Sequence, residues 1–119
     1  MSPQELSEKL QAAFEAEDPS QLAPLLADDV QWGEDTEDGC HSPAQVIAWF
    51  EGLRDRGVRA ATVETIVGPD AVILGQEVTW PRGEQGRPTL VFQVFSIVGG
   101  RVAEIRGFFD KDEALEFAG

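Results

Sequence analysis

At Ala60 the hydrophobic period of the chain changes from about 3.6 residues to about 2, and helical spacing returns only near Lys111. Before the change lie three amphipathic helical segments, and after it come β-branched runs separated by turn residues. Ser2-Pro3 followed by Gln4-Glu5-Leu6 reads as an N-cap and first turn, with Leu6, Leu10, Ala13 and Phe14 on one stripe of a helix running to about Glu17. Asp18-Pro19-Ser20 breaks that helix and opens a short second one carrying Leu22, Leu25 and Leu26. Val30, Gln31 and Trp32 read as a short strand, and residues 33–39 as an acidic loop. Ser42-Pro43 opens a third helix with a wide apolar face of Val46, Ile47, Trp49, Phe50 and Leu53, closed by Gly57.

Turns at Gly68-Pro69-Asp70, Pro81 to Arg87 and Gly99-Gly100 cut the second half into four antiparallel strands near 60–67, 71–80, 88–98 and 101–109. A final helix is expected near Lys111 to Phe117. The 119 residues suffice for one domain, 1–119, that buries about two-thirds of its unfolded surface without staples. The fold class is α+β: a cone-shaped, curved, mixed or antiparallel sheet with the three N-terminal helices closing a pocket.

Charge and cysteine content narrow the function classes. With 22 acidic and 9 basic residues the net charge is −13, which repels phosphate backbones and anionic headgroups, so no nucleic-acid and no membrane partner is expected. Cys40 is the only cysteine, excluding an internal disulfide and fitting a reducing, cytoplasmic setting. The start of the chain lacks a signal peptide, and no apolar run is long enough to span a bilayer.

The order of helix, Leu25-Leu26-Ala27-Asp28-Asp29-Val30-Gln31-Trp32, third helix and a meander ending Ile105-Arg106-Gly107-Phe108-Phe109-Asp110 resembles the nuclear-transport-factor-2-like superfamily. That group includes SnoaL-like polyketide cyclases, ketosteroid isomerase and limonene-epoxide hydrolase, and the resemblance implies a pocket between helices and sheet. It also implies that the isomerase's general-base position falls on Glu34, while its two oxyanion-hole positions fall on Leu10 and Phe92. The hydrolase's Arg position falls on Glu77, and its two Asp positions fall on Thr79 and Gly107. Neither catalytic set is therefore retained, and steroid isomerisation without those donors loses its transition-state stabilisation.

Strand alternation together with the resemblance assigns one sheet face to the pocket: Ile73, Gly75, Glu77 and Thr79; Leu90, Phe92, Val94 and Ser96; Ile105, Gly107 and Phe109. Leu10, Phe14, Leu26, Trp32 and Trp49 close it. Glu34 and Glu77 are the candidate catalytic acid and base, and Leu10, Phe14, Trp32, Trp49, Thr79, Phe92, Ile105 and Phe109 the candidate ligand-binding set. The alternative for both carboxylates is structural, Glu34 solvated in its loop and Glu77 paired with an Arg or a Trp indole. Adjacent Cys40 and His41 read as a loop end rather than a nucleophile pair, no metal-ligand spacing is present, and Arg54-Asp55-Arg56 reads as a solvated helix end.

The other sheet face, with Gln76, Val78 and Trp80, Val91, Gln93 and Phe95, and Glu104, Arg106 and Phe108, is too apolar to meet water. A homodimer centred on Trp80, Phe95 and Phe108 is expected there, the alternative being a helix or tail that covers it. The functional expectation is a protein that binds a small apolar molecule without a cofactor, as an isomerase, cyclase or hydrolase working by carboxylate chemistry. The second expectation is a non-catalytic binding or dimerisation module.

Overall fold

The computed structural model describes residues 2–32, 39–79 and 89–118. Ser2 caps helix α1 (Pro3–Glu15) by accepting the Glu5 backbone N–H at 3.2 Å, and Pro3 sits in the first turn, where its missing N–H costs nothing. Glu17 then takes a positive φ of 54°, and the chain turns into a short 3₁₀ helix (Pro19–Leu25). Asp18 caps that helix, its carboxylate accepting the Ser20 backbone N–H at 3.2 Å and the Ser20 hydroxyl at 2.6 Å. Leu26 has extended backbone (φ −95°, ψ 140°), so strand β1 (Leu26–Trp32) starts four residues before the expected Val30. Ser42 caps helix α2 (Pro43–Asp55) through the Gln45 N–H at 3.3 Å.

Four strands follow: β2 (Arg59–Val67), β3 (Ala71–Thr79), β4 (Thr89–Val98) and β5 (Arg101–Phe108). They form the expected antiparallel meander, and β1 joins β5 in parallel, giving one mixed sheet ordered β1-β5-β4-β3-β2. Register shifts insert one extra residue in β2, Val63, and one in β5, Ala103, the kind of irregularity that bends a strand. Gly99 and Gly100 take φ of 61° and 79°, the positive pair that a tight two-residue hairpin requires. The fold is thus the α+β curved sheet with helices that the sequence implies. Among the described residues no helix is long and apolar enough to cross a membrane.

The sheet has a core on each side. On one side α1, the 3₁₀ helix and α2 bury Leu6, Leu10, Leu22, Leu25 and Val46 against Val72, Leu74, Phe95 and Ile105. On the other, helix α3 (Lys111–Ala118) lays Ala114, Phe117 and Ala118 on Ala71, Ile73, Phe92, Val94 and Phe108. Phe108 and Phe117 meet with ring centroids 5.4 Å apart, and the Arg106 guanidinium lies over the Phe117 ring at 5.1 Å.

This arrangement corrects the face assignment for two strands. Val72, Leu74, Gln76 and Val78 of β3 and Val91, Gln93 and Phe95 of β4 face the helices, paired through Val72↔Phe95, Leu74↔Gln93 and Gln76↔Val91. Ile73, Gly75, Glu77 and Thr79, with Leu90, Phe92 and Val94, alternate to the α3 side. In β5 the expected phase holds, Ile105 packing in the helix-side core and Gly107 lying under Gln93. Phe95 is 1% exposed and touches Phe14 edge-on, so it is interior rather than the centre of a subunit interface. Phe108 is engaged by Phe117, and Trp80 lies outside the described residues. The outer face is therefore covered in part by a helix of the chain itself.

Candidate functional site

Along α1, β3 and β4 the packing hands over from solid core to open space at one level. On α1 the change falls between Leu10 and Ala13-Phe14, on β3 between Leu74 and Gln76, and on β4 between Phe95 and Gln93. Beyond it lies a cavity of about 250 Å³. Its roof is aromatic: Phe14 from α1, Trp32 from β1, and Trp49 and Phe50 from α2, with Leu53 beside them. Its floor is the sheet surface of Ala60, Gln76, Val78, Val91 and Gln93.

The roof is held rigid by its own contacts. Trp32 stacks on Phe50 with centroids 4.6 Å apart and meets Trp49 edge-on at 6.0 Å, while Phe14 meets Phe50 edge-on at 5.2 Å. Trp32 is also fixed through its backbone, which exchanges hydrogen bonds of 2.9 and 3.0 Å with Cys40. Trp49 is 50% exposed, which places it where the cavity opens.

Among the described residues the charged groups that line the cavity are Glu17, Asp18, Arg54 and Arg59, which border its mouth. Arg59 Nε pairs with Glu17 Oε1 at 3.0 Å, and Arg54 Nη1 donates to the Glu17 carbonyl at 3.3 Å. Both sides of the Arg59–Glu17 pair are about half exposed, so it shapes the mouth more than it stabilises the fold. The Ser20 hydroxyl bond holds the Asp18 carboxyl below its ordinary value, which makes it a weak base.

The floor carries the unusual polar groups. Gln76 is 2% exposed and its Nε2 is buried with no hydrogen-bond partner among the described residues; Gln93 Oε1 and Thr62 Oγ1 are buried and equally unpartnered among them. Thr62 pairs in register with Gln76, and Gln93 lies diagonally from Gln76 on the next strand, so the three form a polar row across β2, β3 and β4. Leaving a buried amide unsatisfied costs roughly 1–3 kcal/mol, so two at the base of an apolar cavity constitute a specific cost to stability.

Of the residues singled out in the sequence, Phe14, Trp32 and Trp49 line the cavity. Leu10 and Ile105 are buried in the solid core beneath it. Phe92 packs in the α3-side core, Glu77 and Thr79 are exposed on that same side of the sheet, and Phe109 is 78% exposed just beyond β5. Glu34 lies outside the described residues. The expected alternation places Gln76 and Gln93 on the outer face instead. The signal that finds them is the neighbouring pair Gln76-Glu77: a neutral carboxamide is far cheaper to bury than a carboxylate, so the amide is the one that turns inward.

Cys40 is half-buried, and burial pushes its thiol above the ordinary value, the reverse of an activated nucleophile. The neighbouring His41 backbone N–H donates to Gln45 Oε1 at 2.6 Å. Among the described residues no three His, Cys, Asp or Glu side chains cluster as a metal site would require.

Residues 8–105 match the SnoaL-like domain family. A nuclear-transport-factor-2-like protein of unknown function from Burkholderia pseudomallei has a similar structure, with a TM-score of 0.72 and 22% identity over 98% of this chain and 97% of that one. A candidate polyketide cyclase from Sinorhizobium meliloti aligns with a TM-score of 0.68 and 20% identity, covering 91% of this chain and all (100%) of that one. A candidate ketosteroid isomerase from Kribbella flavida gives a TM-score of 0.73 at 14% identity, over 89% and 76% of the two chains. No curated protein matches the sequence significantly. At these identities the solved structures establish shared architecture, and the family match covers most of the chain: the protein belongs to the SnoaL-like domain family.

Proposed function

We propose that the protein binds a compact, largely apolar small molecule between the aromatic roof and the sheet floor. The observation that carries this reading is the cavity itself, about 250 Å³ with Phe14, Trp32, Trp49 and Phe50 against Val78 and Val91. Its volume exceeds the roughly 150 Å³ that accommodates benzene and falls just short of the ~300 Å³ typical of sites for drug-sized ligands. One or two rings with short substituents fit that space. Kinship in fold with a candidate ketosteroid isomerase and a candidate polyketide cyclase supports a small-molecule ligand without naming it.

Carboxylate acid/base turnover is the second reading, and the observation favouring it is that Glu17 and Asp18 border the cavity. Both are engaged, Glu17 by Arg59 and Asp18 by Ser20, and Glu77 is on the far side of the sheet, so binding is the reading the geometry supports best. The test is the neutral apolar dye 6-propionyl-2-(dimethylamino)naphthalene, two rings with short substituents, whose emission rises on entering an apolar site. Saturable enhancement in the wild type, lost in Val78→Phe, which fills the cavity, supports the proposal. Equal enhancement in the two proteins overturns it. Native mass spectrometry of protein from its own host, followed by extraction, distinguishes a retained molecule from one that is chemically converted.

A further inference from the structure

We infer that Gln76 and Gln93 read a neutral head group that both accepts and donates a hydrogen bond, a hydroxyl or a secondary amide at the leading end of the apolar ligand. This rests on the cavity being a ligand site and adds the chemistry of what enters it. Among the described residues Gln76 leaves an N–H donor unmet and Gln93 a carbonyl acceptor unmet, both buried. As the carboxamides are oriented, one presents a donor and the other an acceptor, and the pair therefore matches a group that is both. An ether or an aliphatic carbon satisfies at most one of them.

Position and charge agree. The two glutamines line the cavity at the level where core gives way to it, so a turn of either carboxamide brings its covered end to the ligand's inner end, whereas the charged residues that border the cavity among the described ones stand at its mouth. A carboxylate head would shed its hydration to face the Gln93 oxygen, and an ammonium would leave the Gln76 N–H unmet. Gly107 gives the Gln93 amide its room: a Cβ there would stand 3.2 Å from Gln93 Oε1. Thr62, opposite Gln76 in register, extends the polar row to the neighbouring strand.

Isothermal titration with 4-propylphenol, 4-propylanisole and 4-propylbenzoate tests this directly, the three sharing one apolar body and differing in the head. The wild type is expected to prefer the phenol over the anisole by about tenfold, since a site built to bond a hydroxyl discriminates against the analogue that lacks it. Gln76→Met and Gln93→Met keep the volume and remove the amide, and each is expected to bring the two affinities within about twofold while binding of the anisole persists. Equal affinities in the wild type, or tightest binding by the benzoate, overturn the head-group assignment and leave the cavity reading standing. Failure of all three to bind, together with no dye enhancement, overturns both. The wild-type series decides the matter even where a methionine variant folds poorly.

Discussion

The Gln93 carboxamide lies over Gly107 so closely that a Cβ on the glycine would stand 3.2 Å from Gln93 Oε1 and 3.5 Å from a Val91 methyl. Gly107 does not take a positive φ, so its backbone accepts alanine, and the atom that must yield is the end of a flexible side chain. Gly107→Ala is therefore expected to change stability by less than about 1 kcal/mol while displacing the amide. The calorimetric preference for phenol over anisole should drop in this variant without loss of thermal stability; an unchanged preference would place the amide's role elsewhere.

Gln76 and Glu77 are neighbours on opposite faces, and substitutions at the two should diverge. Glu77→Gln is expected to leave dye affinity within about twofold, because the side chain is exposed on the α3 side. Gln76→Glu places a carboxyl where the native side chain is 2% exposed. Burial raises its folded-state value above the unfolded ~4.3, so the variant loses stability as pH rises through that range, and urea midpoints at pH 4 and pH 7 should show the gap widening at pH 7.

Phe95 and Leu10 are core residues, 1% and 0% exposed, and their truncation should be felt as stability rather than recognition. Phe95→Ala is expected to cost about 3–5 kcal/mol and Leu10→Ala about 2–5 kcal/mol in urea unfolding. A loss below 1 kcal/mol at either position would contradict the packing described.

Asp18 links the fold to pH. Its carboxyl titrates below the ordinary value because the ionised form accepts from Ser20, so the bond contributes fully above the unfolded value of about 3.8 and is lost as pH falls through the lower folded one. Asp18→Asn retains an N-cap without a charge, and the dependence of its denaturation midpoint on pH between 2 and 5 should be shallower than that of the wild type.

Much of this architecture was legible because local signals were unambiguous. Ser2-Pro3 and Ser42-Pro43 mark helix starts that the caps reproduce, and Gly99-Gly100 marks a hairpin that needs two positive φ angles. The phase of β3 and β4 was not legible, since alternation carries information only when one face is wet. Ala71, Val72, Ile73 and Leu74 are all buried because α3 covers the back of the sheet while α1 and α2 cover the front. With apolar residues on both faces, only Gln76 against Glu77 distinguishes them, and placing the carboxylate inward inverts both strands. Phe14, Trp32 and Trp49 do line the cavity, as their stripes imply, since a helix or a single short strand exposes only one apolar stripe.

The handover from solid core to open cavity along α1, β3 and β4 divides labour within the chain. Leu6, Leu10, Val72 and Phe95 anchor the fold at one end, and α3 anchors it from behind, whereas Ala60, Val78 and Val91 only bound an empty volume. Substitutions in that second group remove few packed neighbours, so the lining can drift in shape and polarity while the scaffold persists. On the proposed binding reading, a handful of exchanges at the floor can change which ligand is preferred without compensating changes elsewhere.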